Sequence, residues 1–422
     1  MSVMAFPRMV EVRQRIETPK IDDLESAIRE ELRGKGLQGR VDKGQNVAIT
    51  AGSRGIARIA EIIRTVVEEV REAGGEPFIV PAMGSHGGAT PRGQVAVLES
   101  LGITEEAVGA PIQSSMEIDE VGRLDGDIPV YMDRNALRAD GIIVVNRVKP
   151  HTDFKGEIES GLMKMMTIGL GKQKGAEMIH WHKSEGYHRL IPAAARLIME
   201  RAPVVLGLAV VENARHEIAI VRALEPGEIE AGERRLLRRA KELIARIPFR
   251  EIDVLIVEEM GKNVSGVGMD TNVTGRFWLP GESDPEAPQV SRLVVLDLTE
   301  ETHGNAIGLG LADFTTRRLV EKIDYDSTYV NCLTQGSSDT GKVPPFLPND
   351  RDAVATALRT CGPIDPARAR VVWIKNTQEL ETFWISESLM EEVEVDEGLS
   401  SRVEALSEER EMKFDVIGTL VR

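Results

Sequence analysis

Histidine is the residue type whose positions in this sequence most suggest chemistry. Four of the seven histidines, His151, His180, His182 and His188, fall between residues 151 and 188. Imidazole is the commonest protein ligand for metals, and its ordinary pKa suits proton transfer near neutral pH. Any single histidine is more often a surface or core residue, so the cluster is what predicts a site. In the His180-x-His182 pair the two rings would point about 200° apart on a helix, so one of them is expected to bind a given metal ion.

A lysine in an apolar run lies within the same region. Lys164 is the one charged residue of the run 162–168. A lysine shielded from water in this way can act as a nucleophile or as an attachment point for a cofactor. The structural alternative is a lysine whose stem lies along a helix while its ammonium reaches water.

The surrounding stretch, 161–175, is rich in glycine and lysine. Gly169, Gly171 and Lys172 predict a loop whose backbone amides and charge could hold a phosphate group. The stretch is not a Walker A motif, because neither Ser nor Thr follows Lys172. An ordinary turn is the alternative interpretation.

The elements that position these residues follow an α/β pattern. Short β-branched runs at 46–50 and 78–80 flank an amphipathic helix over 56–70, which predicts a βαβ unit. Ligands of such sheets bind at the carboxyl ends of the strands, where the loops here carry Arg54 and His86. A third strand, 141–145, leads to His151 in the same manner, and helices are expected near 184–199 and 228–245.

The α/β pattern starts again near Pro248, so the 422 residues are predicted to form two α/β domains, 1–248 and 249–422. The second domain is expected to contain three strands and two helices, at 253–257, 292–298, 371–374, 315–323 and 352–360. Lys262 follows the first of these strands, in a glycine-spaced polar loop. The active site is expected in a cleft between the two domains, where Lys262 could meet an anionic substrate.

Composition excludes several classes of protein. Lys and Arg number 52 against 68 Asp and Glu, and the net charge of −16 disfavours binding to nucleic acid. The two cysteines, Cys332 and Cys361, have no spacing typical of a disulfide framework or a zinc site. No apolar run is long enough to cross a membrane and no signal peptide is recognisable, so we expect a cytoplasmic protein with no membrane partner.

The order of these landmarks resembles the nickel-pincer lactate racemases and their α-hydroxyacid racemase and epimerase relatives. An arginine loop follows a strand, Gly84-Ser85-His86 comes about 32 residues later, and a histidine, a G-x-x-K segment and a further histidine follow in the same order. The lactate-acting members usually have Asp-x-Thr-Arg-Pro in the arginine loop, where this chain has Gly52-Ser53-Arg54-Gly55. The departure implies a different substrate pocket or different contacts to the cofactor.

The resemblance implies a cofactor and a set of roles. In that family a lysine carries pyridinium-3,5-bisthiocarboxylic acid mononucleotide, which binds nickel together with a histidine sixteen residues later. Lys164 and His180 have that separation. Cofactor loading implies maturation proteins as partners. The roles implied for the remaining residues are proton transfer for His86 and His151, carboxylate binding for Arg54, a second-domain lysine for Lys262 and further cofactor contacts for Gly169, Gly171 and Lys172.

The function implied is that of an isomerase. It would invert C2 of a small-molecule α-hydroxyacid by hydride transfer to and from the tethered nucleotide, with one histidine serving each enantiomer. A metal-dependent lyase or hydratase without that cofactor is the alternative. A non-catalytic binding protein is a third reading, which the density of His and Lys on predicted loops disfavours.

Overall fold

A computed structural model describes residues 5–53, 55–125 and 127–422. These residues divide into a first unit, 17–244, and a second unit, which combines 5–16 with 245–422. The N-terminal strand β1 (Arg8–Gln14) lies in the sheet of the second unit, whereas the sequence analysis counts it with the first domain. Pairing between β1 and distant strands is a long-range contact that local sequence patterns do not reveal.

The first unit is built on a five-stranded sheet. Its described strands, which include a separate hairpin of β4 with β5, are β2 (Asn46–Ala51), β3 (Glu76–Pro81), β4 (Ile118–Leu124), β5 (Ile128–Asp133), β6 (Gly141–Arg147), β7 (Val204–Glu212) and β8 (Ile218–Leu224). The strand order is β3-β2-β6-β7-β8, and β8 is the antiparallel member. The central strands are continuous apolar runs that are buried, as is typical of parallel strands covered on both faces.

Helices cover the sheet of the first unit. The described α-helices are α1 (Leu24–Gly34), α2 (Ile59–Glu72), α3 (Pro91–Ser100), α4 (Glu105–Val108), α5 (Arg134–Leu137), α6 (Leu162–Lys164), α7 (Lys172–Trp181), α8 (Lys183–Glu185), α9 (Ile191–Arg201) and α10 (Ile229–Leu243). Short 3₁₀ turns occur at Leu37–Gly39, Gly87–Ala89 and Pro226–Glu228, and π-helical turns at Met165–Gly169 and Gly186–Leu190. The predicted βαβ unit is confirmed by β2, α2 and β3, because the apolar stripe of α2 is buried against the sheet.

The stretch 161–175 is helical, so the predicted glycine-rich loop is wrong. It runs through α6, the π-helical turn Met165–Gly169 and the start of α7. Its glycines are explained by close contacts: a Cβ on Gly169 would lie 2.8 Å from the carbonyl oxygen of Ala82, and one on Gly171 would lie 2.1 Å from that of Thr167. Glycine is a turn signal in sequence, but here it lets backbones approach each other.

The second unit is also α/β, with a mixed nine-stranded sheet in its described part. Eight strands follow the order β12-β11-β10-β9-β13-β14-β1-β15, and β16 pairs with β1. The strands are β9 (Glu251–Met260), β10 (Gln289–Leu298), β11 (Phe314–Thr316), β12 (Phe346–Leu347), β13 (Val371–Ile374), β14 (Thr382–Ser386), β15 (Val403–Ala405), β16 (Arg410–Glu411), β17 (Lys413–Phe414) and β18 (Leu420–Val421), the last two forming a separate hairpin. The α-helices are α11 (Thr271–Thr274), α12 (Arg317–Glu321), α13 (Tyr325–Gln335), α14 (Asp350–Thr360), α15 (Glu387–Val395) and α16 (Glu397–Ser400).

Three 3₁₀ turns separate elements of the second unit, at Glu300–Thr302, Leu309–Leu311 and Asp339–Gly341, and a fourth, Pro366–Arg368, precedes β13. The helix predicted over 315–323 is wrong at its start, because Thr315 and Thr316 belong to β11. Both residues are buried, and their hydroxyls donate hydrogen bonds to carbonyls of β10. The Thr316 hydroxyl also accepts a hydrogen bond from the amide of Leu319, so the same residue ends the strand and caps α12.

The α/β class predicted from the sequence is therefore confirmed in both units. The position of the active site in a cleft between domains stays a prediction. In the part of the chain that the structure describes, no helix is both long enough and apolar enough to span a membrane.

Candidate active site

The loops at the carboxyl ends of three parallel strands meet in the first unit, as expected for a ligand site in an α/β sheet. The Ser53 hydroxyl, after β2, lies 2.5 Å from Nδ1 of His86, after β3. The amide of Gly84 donates a hydrogen bond of 3.1 Å to the carbonyl of Gly169, in the π-helical turn that follows Lys164. The two loops are thereby tied to each other and to the lysine segment.

The predicted carboxylate ligand Arg54 lies outside the described residues, but the structure shows how its loop is anchored. The amide of Ala57 donates a 2.7 Å hydrogen bond to Glu212. The other Glu212 oxygen is paired with Arg147, the last residue of β6. This buried ion pair joins the loop after β2 to the ends of β6 and β7.

A buried glutamate holds the loop that carries His151. The Glu159 carboxylate accepts a 2.6 Å hydrogen bond from the amide of His151, and the Lys241 ammonium of α10 lies 2.7 Å from its other oxygen. A bridge between Lys149 and Ser160 closes the loop at its base. The loop between β6 and α6 is therefore fixed by a charge-assisted network.

The imidazole of His151 contacts the amine of Lys164, and its surroundings define the state of the ring. The amide of Asp153 donates a 3.0 Å hydrogen bond to Nδ1, while Nε2 contacts Lys164 Nζ. Burial lowers the pKa of His151 well below its usual value, so the ring is neutral. Because Nδ1 accepts this hydrogen bond, the proton of the neutral ring is assigned to Nε2. The amine of Lys164 thus lies against a neutral imidazole, and a lysine partly shielded from water is a candidate nucleophile.

Aromatic rings line the same place and bring His180 beside Lys164. The Phe154 ring stacks on Tyr187 at a centroid distance of 4.6 Å, and the centroids of His151 and His180 lie 6.1 and 5.9 Å from that of Tyr187. Loss of solvation, together with the charge of Lys164, lowers the pKa of His180 to about 4. A neutral imidazole is the form that binds metals.

The second histidine of the H-x-H pair faces elsewhere. His182 follows the last residue of α7, and its Nδ1 lies 4.0 Å from a carboxylate oxygen of Glu185. His188 instead contacts Phe154 edge-on, with a centroid distance of 5.6 Å. Of the pair, His180 is the one that lies near Lys164 and Tyr187, and metal binding by it stays a prediction.

The helix that carries Lys164 begins against a buried carboxylate. Glu233 of α10 accepts a 3.0 Å hydrogen bond from the amide of Met163, and a Cβ on Gly161 would lie 2.3 Å from its carboxyl carbon. Asn146 donates a 2.8 Å hydrogen bond to the carbonyl of Gly161. Burial raises the pKa of Glu233 to about 7, and no hydrogen-bond partner is found for its Oε1 among the described residues. A π-helical turn follows Lys164 directly, which is frequent at functional sites.

Two further predicted site residues, Lys172 and Lys262, make polar contacts of their own. Lys172 is buried, and its ammonium lies 3.1 Å from Asp133, so it makes an internal ion pair. Lys262 belongs to the second unit, where its amide donates to the Thr302 hydroxyl and its ammonium contacts Asn331. Cofactor binding by Gly169, Gly171 and Lys172, and catalysis by Lys262, stay predictions.

Sequence reasoning did not identify several residues of this site, namely Ser53, Asp153, Phe154, Glu159, Tyr187 and Glu233. Glu233 had a usable signal, because it occupies the apolar stripe of α10, where a charged residue is unexpected. Glu159 and Tyr187 had none, since their contacts form only when the loop after β6 and the surrounding helices are folded.

Part of this chain matches a known protein family. Residues 7–186 match the family model described as the lactate racemase N-terminal domain. Among solved structures, the chain is similar to the lactate racemase apoprotein from Thermoanaerobacterium thermosaccharolyticum, with 12% identity, 87% of this chain and 84% of that chain covered, and a TM-score of 0.45. A comparison with curated proteins found no match. The matched segment includes every predicted site residue except Lys262. The match over residues 7–186 agrees with the resemblance to the lactate racemases seen in the sequence.

Proposed function

We propose that this protein is a racemase or epimerase that inverts C2 of an α-hydroxyacid. The match of residues 7–186 to the lactate racemase N-terminal domain supports racemase activity in general. The observation that carries the specific proposal is the contact between Lys164 and His151, with His180 near enough for the charge of Lys164 to lower its pKa. A nucleophilic lysine beside a neutral histidine is what attachment of a metal-binding cofactor requires.

The residues present fit a nickel-pincer nucleotide. Lys164 would hold pyridinium-3,5-bisthiocarboxylic acid mononucleotide covalently, and His180 would bind the nickel. When bound, this group would supply a hydride acceptor next to C2 of the substrate. Within the described residues, no group of three or more His, Cys, Asp or Glu side chains is placed to hold a metal ion. A nickel ion held mainly by a tethered nucleotide needs only one such side chain from the protein.

Two histidines would move the hydroxyl proton. Ser53 fixes Nδ1 of His86, and the amide of Asp153 fixes Nδ1 of His151, so proton transfer would occur at Nε2 of each ring. With its proton on Nε2, His151 is set to act as the acid in the direction in which His86 acts as the base. The reverse reaction exchanges these roles, as a racemase requires.

The substrate carboxylate would be held by Arg54, whose planar guanidinium binds such a group with two parallel hydrogen bonds. The loop anchor formed by Glu212 and Arg147 supports this role, because it fixes the backbone that follows Arg54. We extend the proposal to Lys262 as a second contact to the substrate anion, and to maturation proteins that deliver the cofactor. The departure of Gly52-Ser53-Arg54-Gly55 from the lactate-acting pattern indicates an α-hydroxyacid other than lactate.

The first experiment measures the cofactor directly. The protein is produced together with the cofactor-making enzymes, and its intact mass and nickel content are compared with those of Lys164→Ala and of the control Lys174→Ala. We expect a nucleotide-sized mass increase with nickel in the wild type and in the control, and neither in Lys164→Ala. Unmodified, nickel-free wild-type protein from this system would contradict the proposal and favour a lyase or hydratase.

The second experiment tests the reaction with the loaded protein. Single enantiomers of α-hydroxyacids with increasing side-chain size are incubated with it, and the product is resolved by chiral chromatography. Exchange of configuration is expected for at least one of them, and it should be lost in Arg54→Ala. A loaded protein that instead eliminates water from these acids would refute the racemase assignment while leaving the cofactor in place.

A further inference from the structure

A second lysine of the first unit, Lys172, is buried, and its ammonium is surrounded by polar groups. Its side chain is 1% exposed, and its ammonium lies 2.5 Å from the carbonyl of Pro81, 3.0 Å from Oε1 of Gln94 and 3.1 Å from Oδ2 of Asp133. Pro81 and Gln94 accept hydrogen bonds from the ammonium, and the Asp133 carboxylate forms an ion pair with it. Burial lowers the pKa of Lys172, and the Asp133 carboxylate opposes this effect. The ion pair and the two hydrogen bonds favour the charged form.

Gln94 connects this ammonium to the loop of His86. Gln94 is completely buried, and its Nε2 donates hydrogen bonds of 3.0 Å to the carbonyl of Gly84 and 3.4 Å to that of His86. The ammonium of Lys172 can only donate, so it fixes the Gln94 amide with its oxygen towards Lys172 and its NH2 towards the loop. The ammonium therefore determines which hydrogen bonds Gln94 offers.

The backbone of the loop needs such support. His86 itself is exposed, and the glycines on either side of it, Gly84 and Gly87, both have positive φ, at 61° and 68°. Lys172 also has a positive φ, 52°, which is disfavoured for a residue with a Cβ. A buried lysine with a positive φ lowers the stability of the fold. Residues of this kind persist where the surrounding structure holds them for a function.

We propose that Lys172 and Gln94 are positioning residues that hold the backbone of residues 84–86 so that the His86 imidazole meets the Ser53 hydroxyl. Without them the loop would keep its sequence and lose its fixed orientation. The importance of this orientation for catalysis rests on the proposed function of His86. The orientation of the imidazole itself can be measured without substrate.

The test compares Gln94→Leu and Lys172→Met with the matched control Lys174→Met. Lys174 is exposed, lies two residues from Lys172 and approaches the ring of Tyr131 at 5.8 Å. The readout is the pair of imidazole ¹⁵N resonances of His86 in histidine-labelled protein, assigned with His86→Gln. These resonances report which nitrogen carries the proton and whether Nδ1 is hydrogen-bonded.

We expect His86 in the wild type and in Lys174→Met to show a single tautomer with a hydrogen-bonded Nδ1. In Gln94→Leu and Lys172→Met the signals should move to the averaged values of an unrestrained histidine, while those of His180 remain in place and show that the unit is folded. Gln94→Leu leaves the Lys172 ion pair intact, so it serves as the test if Lys172→Met does not fold. Unchanged His86 signals in folded Gln94→Leu would overturn the proposal.

Activity then separates this inference from the proposed function. In cofactor-loaded protein, Gln94→Leu should lower kcat by about tenfold to a hundredfold with KM changed less than about threefold, because a misplaced base affects the reaction more than binding. A wild type that shows the expected His86 signals but no inversion of any hydroxyacid would refute the proposed function and leave the positioning role standing.

Discussion

Glu233 should make the first unit less stable as the pH rises, and replacement by glutamine should remove this effect. The pKa of its buried carboxyl is about 7, against an ordinary value of 4.5. A carboxyl whose pKa is raised by folding binds its proton more tightly in the native state. Its contribution to stability is fully present below pH 4.5, declines as the pH rises, and is lost above pH 7.

The size of the effect follows from the two pKa values. They differ by about 2.5, which corresponds to about 3 kcal/mol at 1.36 kcal/mol per pKa unit. The side chain has no exposed surface, so solvent screening does not reduce this value. For a unit of this size, about 3 kcal/mol corresponds to a difference of roughly 6 to 12 °C in Tm. Glu233→Gln should therefore gain stability relative to the wild type between pH 5 and pH 8.

The assay is thermal unfolding at several pH values, with hydrogen exchange of peptides from 161–170 and 229–243 to attribute the transition to the first unit. Glu230→Gln on the same helix is the control. Hydrogen bonds from Arg196 lower the pKa of Glu230, so its replacement should act in the opposite direction and destabilise the protein at neutral pH. Parallel pH profiles for the wild type and Glu233→Gln would refute the reasoning, since a glutamate that stays ionised from pH 5 upwards makes no such contribution.

Two further predictions concern the lysine segment. Acetic anhydride should acylate Lys164 in the wild type, and His151→Phe should slow this reaction by at least about tenfold, because a hydrogen bond from Nε2–H of His151 stabilises the neutral form of the amine. Peptide mass spectrometry measures both rates, and equal rates in the two proteins would contradict this role of His151. Gly161→Ala should lower the stability of the first unit by about 1 to 3 kcal/mol, because its Cβ would meet the Glu233 carboxyl. Gly39→Ala, whose Cβ would have open space, is the control, and a similar loss in both variants would exclude that contact as the cause.

The fold could be predicted where local patterns decide it. The strand Val371–Ile374 is observed with the predicted bounds, and the βαβ unit around α2 is present, because a buried apolar run and a helical stripe are encoded by neighbouring residues. The stretch 161–175 was predicted incorrectly because its glycines serve contacts with distant backbone, such as that of Ala82. The strand β1 was assigned to the other domain for the same reason, since its partners are hundreds of residues away.

In the candidate site, too, the sequence predicts some features and tertiary contacts determine the others. His151, Lys164 and His180 could be selected from residue type and order, and the structure brings them to one place. The role of Glu159 could not be predicted, because it depends on how the loop between β6 and α6 folds back on itself, and Glu233 showed only that a charge interrupts an apolar stripe, not that it would bind the amide of Met163. Residue type indicates which groups can react, whereas the groups that fix their protonation and direction are set by tertiary contacts.

The π-helical turn after Lys164 makes the lysine segment sensitive to the loss of a single residue. Such a turn contains one residue more than the α-helical path between the same neighbours. Loss of one residue from Met165–Gly169 would convert the turn to α-helix and change by about 100° the direction in which its last residues point. The carbonyl at the end of the turn would then no longer meet the amide of Gly84, and the lysine segment would lose its link to the loop of His86. A protein that lacks this one residue should therefore lack the arrangement even where the side chains of the site align.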